Sequence, residues 1–175
     1  MVTRDVDLLK RTAATVALTI TTEDDNIARL MEPNAPLPTK RIETAKILIE
    51  EGIPVSARID PIIPYVNDNP ETLIKTLTAI GIKHITASTY KVKPDNWQRL
   101  SKVVSSQTTE KLKLLYFKRG EKIASYTYLP KDLRFKLMQN MAKLAKKYDI
   151  KFGTCREGLS QLNTAACDGS WLLSR

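Results

Sequence analysis

The stretch "AKILIEEGIPVSARID", residues 45–60, decides the fold. Its apolar side chains recur at helical spacing as far as Gly52, and a short apolar run follows that glycine. A glycine just past a helix supplies the left-handed backbone conformation that ends the helix. The stretch therefore predicts a helix, a tight turn and a strand.

The same unit recurs along the chain. Residues 73–89 repeat it with Gly81 at the turn, residues 141–155 repeat it with Asp149 in the glycine position, and residues 6–22 form a looser copy. Strands that alternate with helices predict a parallel sheet with right-handed crossovers. The predicted strands are 16–22, 53–60, 84–88 and 150–155.

The section between the third and last predicted strands is less regular. Pro94 marks a helix start, and residues 130–148 have a strong helical pattern that begins with Pro130. Residues 108–118 fit a helix, while residues 116–129 fit a hairpin that turns at Arg119 and Gly120. We expect a helix for 108–118.

Each predicted strand has one mostly apolar face and one mostly polar face. In the second strand, Ser56, Arg58 and Asp60 share the polar face, because side chains alternate along a strand. A sheet covered by helices on both sides would be apolar on both faces, so these strands predict helices on one face only. The fold predicted is α/β, a partial (β/α) barrel with a polar lumen that holds a ligand. The alternative is an open sheet whose polar face meets solvent or another chain.

Active residues of such folds gather where strands run into the following loops. The residues at those ends are Thr21, Thr22, Arg58, Asp60, Ser88, Tyr90 and Cys155. The guanidinium of Arg58 is suited to gripping a carboxylate, but an ion pair between Arg58 and Asp60 is an equal alternative. His84 is the single histidine, and it starts its strand. We therefore interpret His84 as structural or exposed.

Composition limits the class of protein. The 175 residues suffice for one domain, 1–175, and they carry 28 basic and 19 acidic side chains, a net charge of +9. That excess favours a nucleic-acid partner, although a solvated basic surface accounts for it equally well. No apolar run has the ~20 residues of a membrane span, and the first residues lack the apolar core of a secretory signal. We predict no membrane partner and a cytoplasmic location.

Three motifs carry a resemblance to a known family. They are "ARLMEPNAPLPTKRIETA" after a threonine-bearing strand, "EGIPVSARIDPIIPYVND", and the C-terminal "TCREGLSQLNTAACDGSWLL". In this order they resemble the spore photoproduct lyase-like branch of the radical S-adenosylmethionine enzymes, which is also known as the DNA repair photolyase group. The resemblance extends over most of the chain.

The resemblance implies a partial (β/α)₆ barrel that binds a [4Fe–4S] cluster and S-adenosylmethionine. In the family, the cluster cleaves S-adenosylmethionine to a radical, and the type member uses that radical to reverse a thymine photodimer in DNA. The cluster is held by a C-x3-C-x2-C loop after the first strand. This chain has two cysteines, Cys155 and Cys167, and no such motif, although a site-differentiated cluster needs three thiolates.

The resemblance therefore predicts that the chain is the C-terminal part of such a barrel with a C-terminal extension, truncated and inactive alone. No cofactor is expected in the chain itself; S-adenosylmethionine and the [4Fe–4S] cluster belong to the full-length family. The cofactor-binding residues implied are Thr19, Thr21, Arg58 and Asp60. Cys155 and Cys167 are interpreted as a buried pair or a disulfide, or as ligands in the full-length protein.

Two further functions follow as alternatives. A nucleic-acid-binding module would use the basic helices of residues 111–147, and pairing through the exposed sheet edge would give a homo-oligomer. An independent enzyme with other chemistry ranks lowest, because the sequence has no glycine-rich phosphate loop, no metal triad and no base with a clear partner.

Overall fold

The fold, described by a computed structural model over residues 2–173, is α/β and is built on a four-stranded parallel sheet. The strand order is β1, β2, β3, β6, and a separate antiparallel hairpin consists of β4 and β5. The strands are β1 (Val16–Thr19), β2 (Val55–Ile62), β3 (His84–Thr89), β4 (Glu121–Ile123), β5 (Tyr126–Tyr128) and β6 (Lys151–Thr154). All four predicted parallel strands are present and pair with one another.

Helices connect these strands. They are α1 (Val6–Lys10), α2 (Asp25–Met31), α3 (Pro38–Glu50), α4 (Glu71–Ala79), α5 (Pro94–Val103), α6 (Ser106–Lys113) and α7 (Lys131–Lys147). Short 3₁₀ turns span Val2–Asp5, Ser160–Leu162 and Ser170–Leu173. The turns after α3, α4 and α7 have the expected left-handed residues, with φ of 78° at Gly52, 99° at Gly81 and 52° at Asp149. The repeated helix–turn–strand unit is therefore confirmed.

Region 106–128 contains both structures that its sequence allowed. Helix α6 continues into one π-helical turn, Leu114–Lys118, and the β4–β5 hairpin follows. The helix expected for 108–118 is confirmed, whereas the hairpin alternative placed its turn at Arg119 and Gly120, which is wrong: the turn lies between the strands, where Ala124 has φ of 52°. Gly120 is needed instead because a Cβ there would lie 2.2 Å from the carbonyl oxygen of Tyr116.

The apolar face of the sheet packs against helices, as predicted. Ala57 and Ile59 of β2, Ile85 of β3 and Phe152 of β6 are fully buried in one core cluster. Helices α3, α4 and α7 supply the other side of that cluster, through residues such as Ala45, Leu48, Ile74, Leu77, Met138 and Met141. This core fixes the register in which the polar residues of neighbouring strands stand side by side.

The polar face is partly closed by the end of the chain. We call residues 163–172 the C-terminal cover. A Cβ built on Gly153 of β6 would lie 2.7 Å from the Cα of Cys167, and one built on Gly169 would lie 3.3 Å from Oγ of Ser56. The cover thus lies directly on the sheet. Of the two states expected for this face, a ligand-filled lumen or a bare surface, neither holds for the part under the cover.

The two edges of the sheet differ. On β6, the Phe152 amide donates to Oγ1 of Thr164 at 2.8 Å, and the Thr154 amide donates to Oδ1 of Asn163 at 2.7 Å. The Phe152 carbonyl accepts from the Thr164 amide at 2.8 Å. Within residues 2–173, the outer edge of β1 pairs with no strand. One edge is therefore sealed by the cover and the other is open.

Candidate functional site

A row of mostly polar residues crosses the middle of the sheet on its polar face. Thr19 is in register with Arg58, Arg58 with Thr86, and Thr86 with Gly153. This alignment follows from parallel pairing and from the two-residue repeat of each strand. The polar residues that the sequence placed on one face are thus brought together, and Thr19, the last residue of β1, lies at the carboxyl-end edge where sites of parallel sheets form.

Arg58 and Asp60 form an ion pair. Nη2 of Arg58 lies 2.8 Å from Oδ2 of Asp60, with side chains 28% and 19% exposed, and the Ser88 hydroxyl donates to the other Asp60 oxygen. Burial lowers the pKa of Arg58, but its interactions with Cys155 and Asp60 outweigh burial and raise it. The guanidinium stays charged and already has a partner. Of the two roles predicted for Arg58, binding a ligand carboxylate or pairing with Asp60, this structure contains the ion pair with Asp60.

A cleft of 910 Å³ opens beside this pair, above the ends of β1 and β2. Thr19, Thr21 and Asp60 line the cleft. Arg58 does not line it but is bonded to Asp60, which does. Its other walls are largely apolar and come from α2, α5 and the loop after β2; they include Ile27, Leu30, Met31, Ile63, Val66, Leu100 and Val103. The volume and the mixture of apolar walls with few polar groups are typical of small-molecule sites.

Both threonines are held in place by a pair of charged residues. The Thr21 hydroxyl donates to Oε1 of Glu32 at 3.2 Å, and Oε2 of Glu32 lies 2.6 Å from Nη2 of Arg41. Nη1 of Arg41 donates to the Thr19 carbonyl at 2.7 Å. Glu32 and Arg41 lie inside the motif 28–45 on which the family resemblance rested, but sequence reasoning gave them no role.

Asn67 positions the loop that forms one wall of the cleft. Its side-chain amide donates to the carbonyls of Thr21 at 2.9 Å and Pro61 at 3.0 Å, and its oxygen accepts from the Ile63 amide at 2.7 Å. One side chain therefore joins the loops after β1 and β2. Sequence reasoning missed this residue and read it only as part of a loop.

Tyr90 is a neutral donor at the cleft wall. Burial raises its pKa to about 12, and its main-chain carbonyl accepts from the Tyr116 hydroxyl at 2.8 Å. At neutral pH its phenol therefore keeps its proton and can donate to an oxygen or a ring nitrogen of a ligand.

Under the cover, the polar face has no free space. Nε1 of Trp171 donates to Nδ1 of His84 at 2.9 Å, and the Thr86 hydroxyl donates to the Cys167 carbonyl at 2.6 Å. Because that hydroxyl is then an acceptor for Nε2–H of His84, at 3.1 Å, the ring is the neutral Nε2–H tautomer. Burial lowers the pKa of His84 to about 4. His84 is fully buried and structural, one of its two predicted roles.

Glu157 braces the end of β3. Its buried Oε1 accepts from the Thr89 amide at 2.7 Å, the Thr89 hydroxyl at 3.0 Å and Nζ of Lys91 at 2.8 Å. Its Oε2 lies 3.7 Å from Nη1 of Arg134 and has no closer hydrogen-bond partner among residues 2–173. Arg134 also bonds Glu121 of the hairpin at 2.9 Å, so Glu157 and Arg134 together join β3, α7 and the hairpin.

The cysteines lie side by side at the margin of the cover. Cys155 and Cys167 are both free and partly exposed, and Cys167 lies against Gly153, two residues before Cys155 on the same strand face. In this structure they form no disulfide and are only partly buried, so the prediction of a buried pair is wrong. In the part of the chain that the structure describes, no three His, Cys, Asp or Glu side chains are grouped as a metal site would require.

Comparisons with known proteins show two relatives. An uncharacterized protein of Methanocaldococcus jannaschii is 42% identical over 69 residues, which are 39% of this chain and 27% of that protein. An uncharacterized protein of Acidianus two-tailed virus is 32% identical over 93 residues, 49% of this chain and 31% of that protein. The matches span less than a third of either relative's length. No protein-family model and no solved structure matches the chain.

Proposed function

We propose that the chain is the C-terminal part of a radical S-adenosylmethionine protein related to the spore photoproduct lyases, and that its cleft is one wall of the S-adenosylmethionine pocket. The observation that supports this most is the cleft at the carboxyl edge of the sheet, lined by Thr19, Thr21 and Asp60. The motifs of residues 28–45 and 51–68, on which the family resemblance rests, contribute to the walls of this cleft.

The lining fits an adenosylated ligand. Adenine is flat and weakly polar, which suits the apolar side chains Ile63, Val66 and Leu100. Ribose hydroxyls and a methionine ammonium need acceptors and donors, which Asp60 and Thr21 offer at the base of the same cleft. In this family S-adenosylmethionine is the source of the radical. The residues of this chain would bind and orient it and keep water from its apolar side.

The described residues do not fit a [4Fe–4S] cluster. Cys155 and Cys167 supply two thiols where three are needed. We propose that the cluster is held by residues outside this chain and that the chain alone has no lyase activity. We also propose a cytoplasmic location, a reducing compartment in which the thiols of Cys155 and Cys167 stay free. Within residues 2–173, no helix is long and apolar enough to cross a membrane.

Ligand binding tests the proposal directly. S-adenosylhomocysteine, which lacks the reactive sulfonium, is titrated into the isotope-labelled chain while NMR shifts are followed. We expect weak, saturable binding with shifts confined to the cleft, weakened at least fivefold by Thr21→Val. The matched control Thr72→Val, at an exposed position of α4, should bind like the wild type. Shifts scattered over the surface, or no saturation, would contradict the proposal.

A second candidate function, a nucleic-acid-binding module, is favoured by aromatic side chains beside lysines. Tyr65 and Phe117 are 52% and 53% exposed, Nζ of Lys111 lies 5.2 Å from the Tyr65 ring centroid, and Phe117 packs edge-on against Trp97. Exposed rings within a basic surface can stack on unpaired bases. Single-stranded DNA should then bind with an affinity that falls steeply from 50 to 200 mM salt, and an affinity independent of salt would exclude phosphate contacts.

We also propose that copies of the chain associate through the open edge of β1. Ala17 lies exposed on this four-residue strand, whose outer edge has no strand partner within residues 2–173. Such an edge is a template for another strand, and a lysine there discourages pairing. Light scattering should therefore show a larger mass for the wild type than for Ala17→Lys. Equal monomer masses at high concentration would refute this association.

A further inference from the structure

The two cysteines, Cys155 and Cys167, lie where β6 meets the C-terminal cover. Cys155 follows the last residue of β6, and its amide donates to the Ala87 carbonyl at 3.0 Å, so its backbone belongs to the rigid sheet. Cys167 belongs to the cover. Its Cα lies against Gly153, two residues before Cys155 on the same strand face. The two thiols therefore lie at a boundary between sheet and cover where both residues are partly exposed.

The glycine at position 153 makes this approach possible. Any Cβ at that position would occupy the space 2.7 Å from the Cα and 3.1 Å from the Cβ of Cys167. Because no Cβ is present, the Cys167 backbone packs directly on the strand, beside Cys155 two residues further on. The carbonyl of Cys167 is fixed at the same time by the Thr86 hydroxyl at 2.6 Å. The thiols are thus held together by the backbone on both sides.

The surroundings of the two sulfurs differ. The permanently charged guanidinium of Arg58 interacts electrostatically with Cys155, and this interaction is one of those that raise the pKa of Arg58. Burial, followed by the neighbouring Cys155 sulfur, raises the pKa of Cys167. A thiol beside a fixed positive charge is the one that reacts first, because the thiolate is the nucleophile.

We propose that Cys155 and Cys167 form a reversible disulfide that fastens the C-terminal cover to β6, with Cys155 as the attacking thiol and Cys167 as the resolving thiol. The co-reactant is a low-molecular-weight disulfide such as glutathione disulfide. The Cys155 thiolate attacks one of its sulfurs, forming a mixed disulfide and releasing one glutathione thiolate. The Cys167 thiolate then attacks the Cys155 sulfur, forming the protein disulfide and releasing a second glutathione.

The balance of this exchange is complete. The two protein thiols lose two electrons and two protons, and glutathione disulfide gains both to become two molecules of glutathione. Transient disulfides of this kind are the form that disulfides usually take in reducing compartments. In the reduced chain only non-covalent contacts hold the cover on the sheet, among them the bonds of Trp171 and Thr86. In the oxidised chain the cover cannot leave.

Mass spectrometry of the whole chain tests the proposal. The folded wild type is incubated with glutathione disulfide and quenched with acid at intervals. We expect a final product that has lost two hydrogen atoms, reached through a transient adduct of one glutathione. Trypsin cleaves at Arg156, between the cysteines, so the oxidised chain should yield residues 152–156 linked to residues 157–175 until a reductant is added.

Serine variants assign the two roles. Cys167→Ser should stop at a stable glutathione adduct on Cys155, whereas Cys155→Ser should be modified on Cys167 about tenfold more slowly. The wild type in urea serves as the control for geometry. Unfolding separates the two cysteines, so the disulfide should form at about a tenth of the folded rate or below. A stable adduct of two glutathiones on the folded wild type would overturn the proposal. A disulfide between two chains, or no internal disulfide, would overturn it as well, whether or not the serine variants fold.

Discussion

The polar face of the sheet has two halves, one buried under the C-terminal cover and one open to the cleft. Toward the amino ends of the strands, Ser56, His84 and Thr86 are at most 2% exposed and are covered by the end of the chain. Toward the carboxyl ends, Thr19 and Asp60 face an open cleft. The same alternation of side chains produces both halves. A polar strand face is therefore not by itself a ligand-binding site. It can bind a ligand only where no other segment of the chain occupies its hydrogen-bonding groups.

The largest effect is expected from breaking the covered half with Gly153→Val. The new side chain needs the space of the Cys167 backbone, so the cover must move, and we expect a loss of about 3 kcal/mol in the free energy of unfolding. Urea denaturation measures this loss. Lys151→Val, at an exposed position of the same strand, should change stability by less than about 0.5 kcal/mol. A folded Gly153→Val variant of unchanged stability would show that the cover is not seated on β6.

The next effect concerns pH and acts through His84. Its folded pKa of about 4 lies below the ordinary 6.5, so the unfolded state binds the proton first, and stability falls as the pH drops from 6.5 toward 4. We expect a loss of roughly 2 to 3 kcal/mol by pH 4, because each unit of difference between the folded and unfolded pKa corresponds to about 1.4 kcal/mol. Urea titrations at a series of pH values measure it.

The single histidine makes the interpretation of that titration simple. Between pH 6.5 and 5 few carboxylates titrate, so the slope in this window should vanish in His84→Gln. If the variant kept the wild-type slope, another group would be responsible, and the buried neutral tautomer bonded to Trp171 would not be the pH-sensitive contact.

A smaller effect is expected in the open half, from Asp60→Asn. The change leaves Arg58 without its charged partner, but the pair is partly exposed, so the stability lost should be about 1 kcal/mol. Binding of S-adenosylhomocysteine should fall more than stability does. Asp7→Asn, at an exposed position of α1, is the matched control. A loss above 3 kcal/mol would place Asp60 with the structural residues of the covered half.

The smallest effect on stability is expected from Thr21→Val. The variant removes one 3.2 Å hydrogen bond to Glu32 while keeping the shape of the side chain, and Glu32 retains Arg41 at 2.6 Å. We expect a change of about 0.5 kcal/mol in the free energy of unfolding. Thermal denaturation beside the ligand titration would separate the two roles: a large drop in melting temperature would mean that Thr21 supports the fold.

The sequence predicts the apolar half of this architecture well. The periodicity around Gly52 and Gly81 defines helices, turns and strands, since burial of one face imposes a regular pattern on local residues. It also places Thr19, Arg58 and Asp60 on one face. Helix α2 was not predicted, although Asp24 caps it by accepting from the Asn26 amide at 2.7 Å. At seven residues, that helix is too short for a clear period.

The cover and the Glu157 brace could not be predicted. Both are made of polar contacts between residues distant in sequence, such as Thr89 with Glu157 and His84 with Trp171. Such contacts leave no periodic signal, because each depends on one side chain and on where the chain happens to return. Cys155 was placed correctly at a strand end, but its neighbour Cys167 became visible only when the chain was folded.

The sealed edge of β6 also sets a stoichiometry. If strands of two copies pair along β1, each copy uses its one open edge, and the far side of each sheet ends at Asn163 and Thr164, which already occupy the outward amides of β6. Association through strands is then self-limiting: it stops at two chains and cannot propagate into a fibre. The cover thus prevents a further strand from pairing with β6 and extending the sheet.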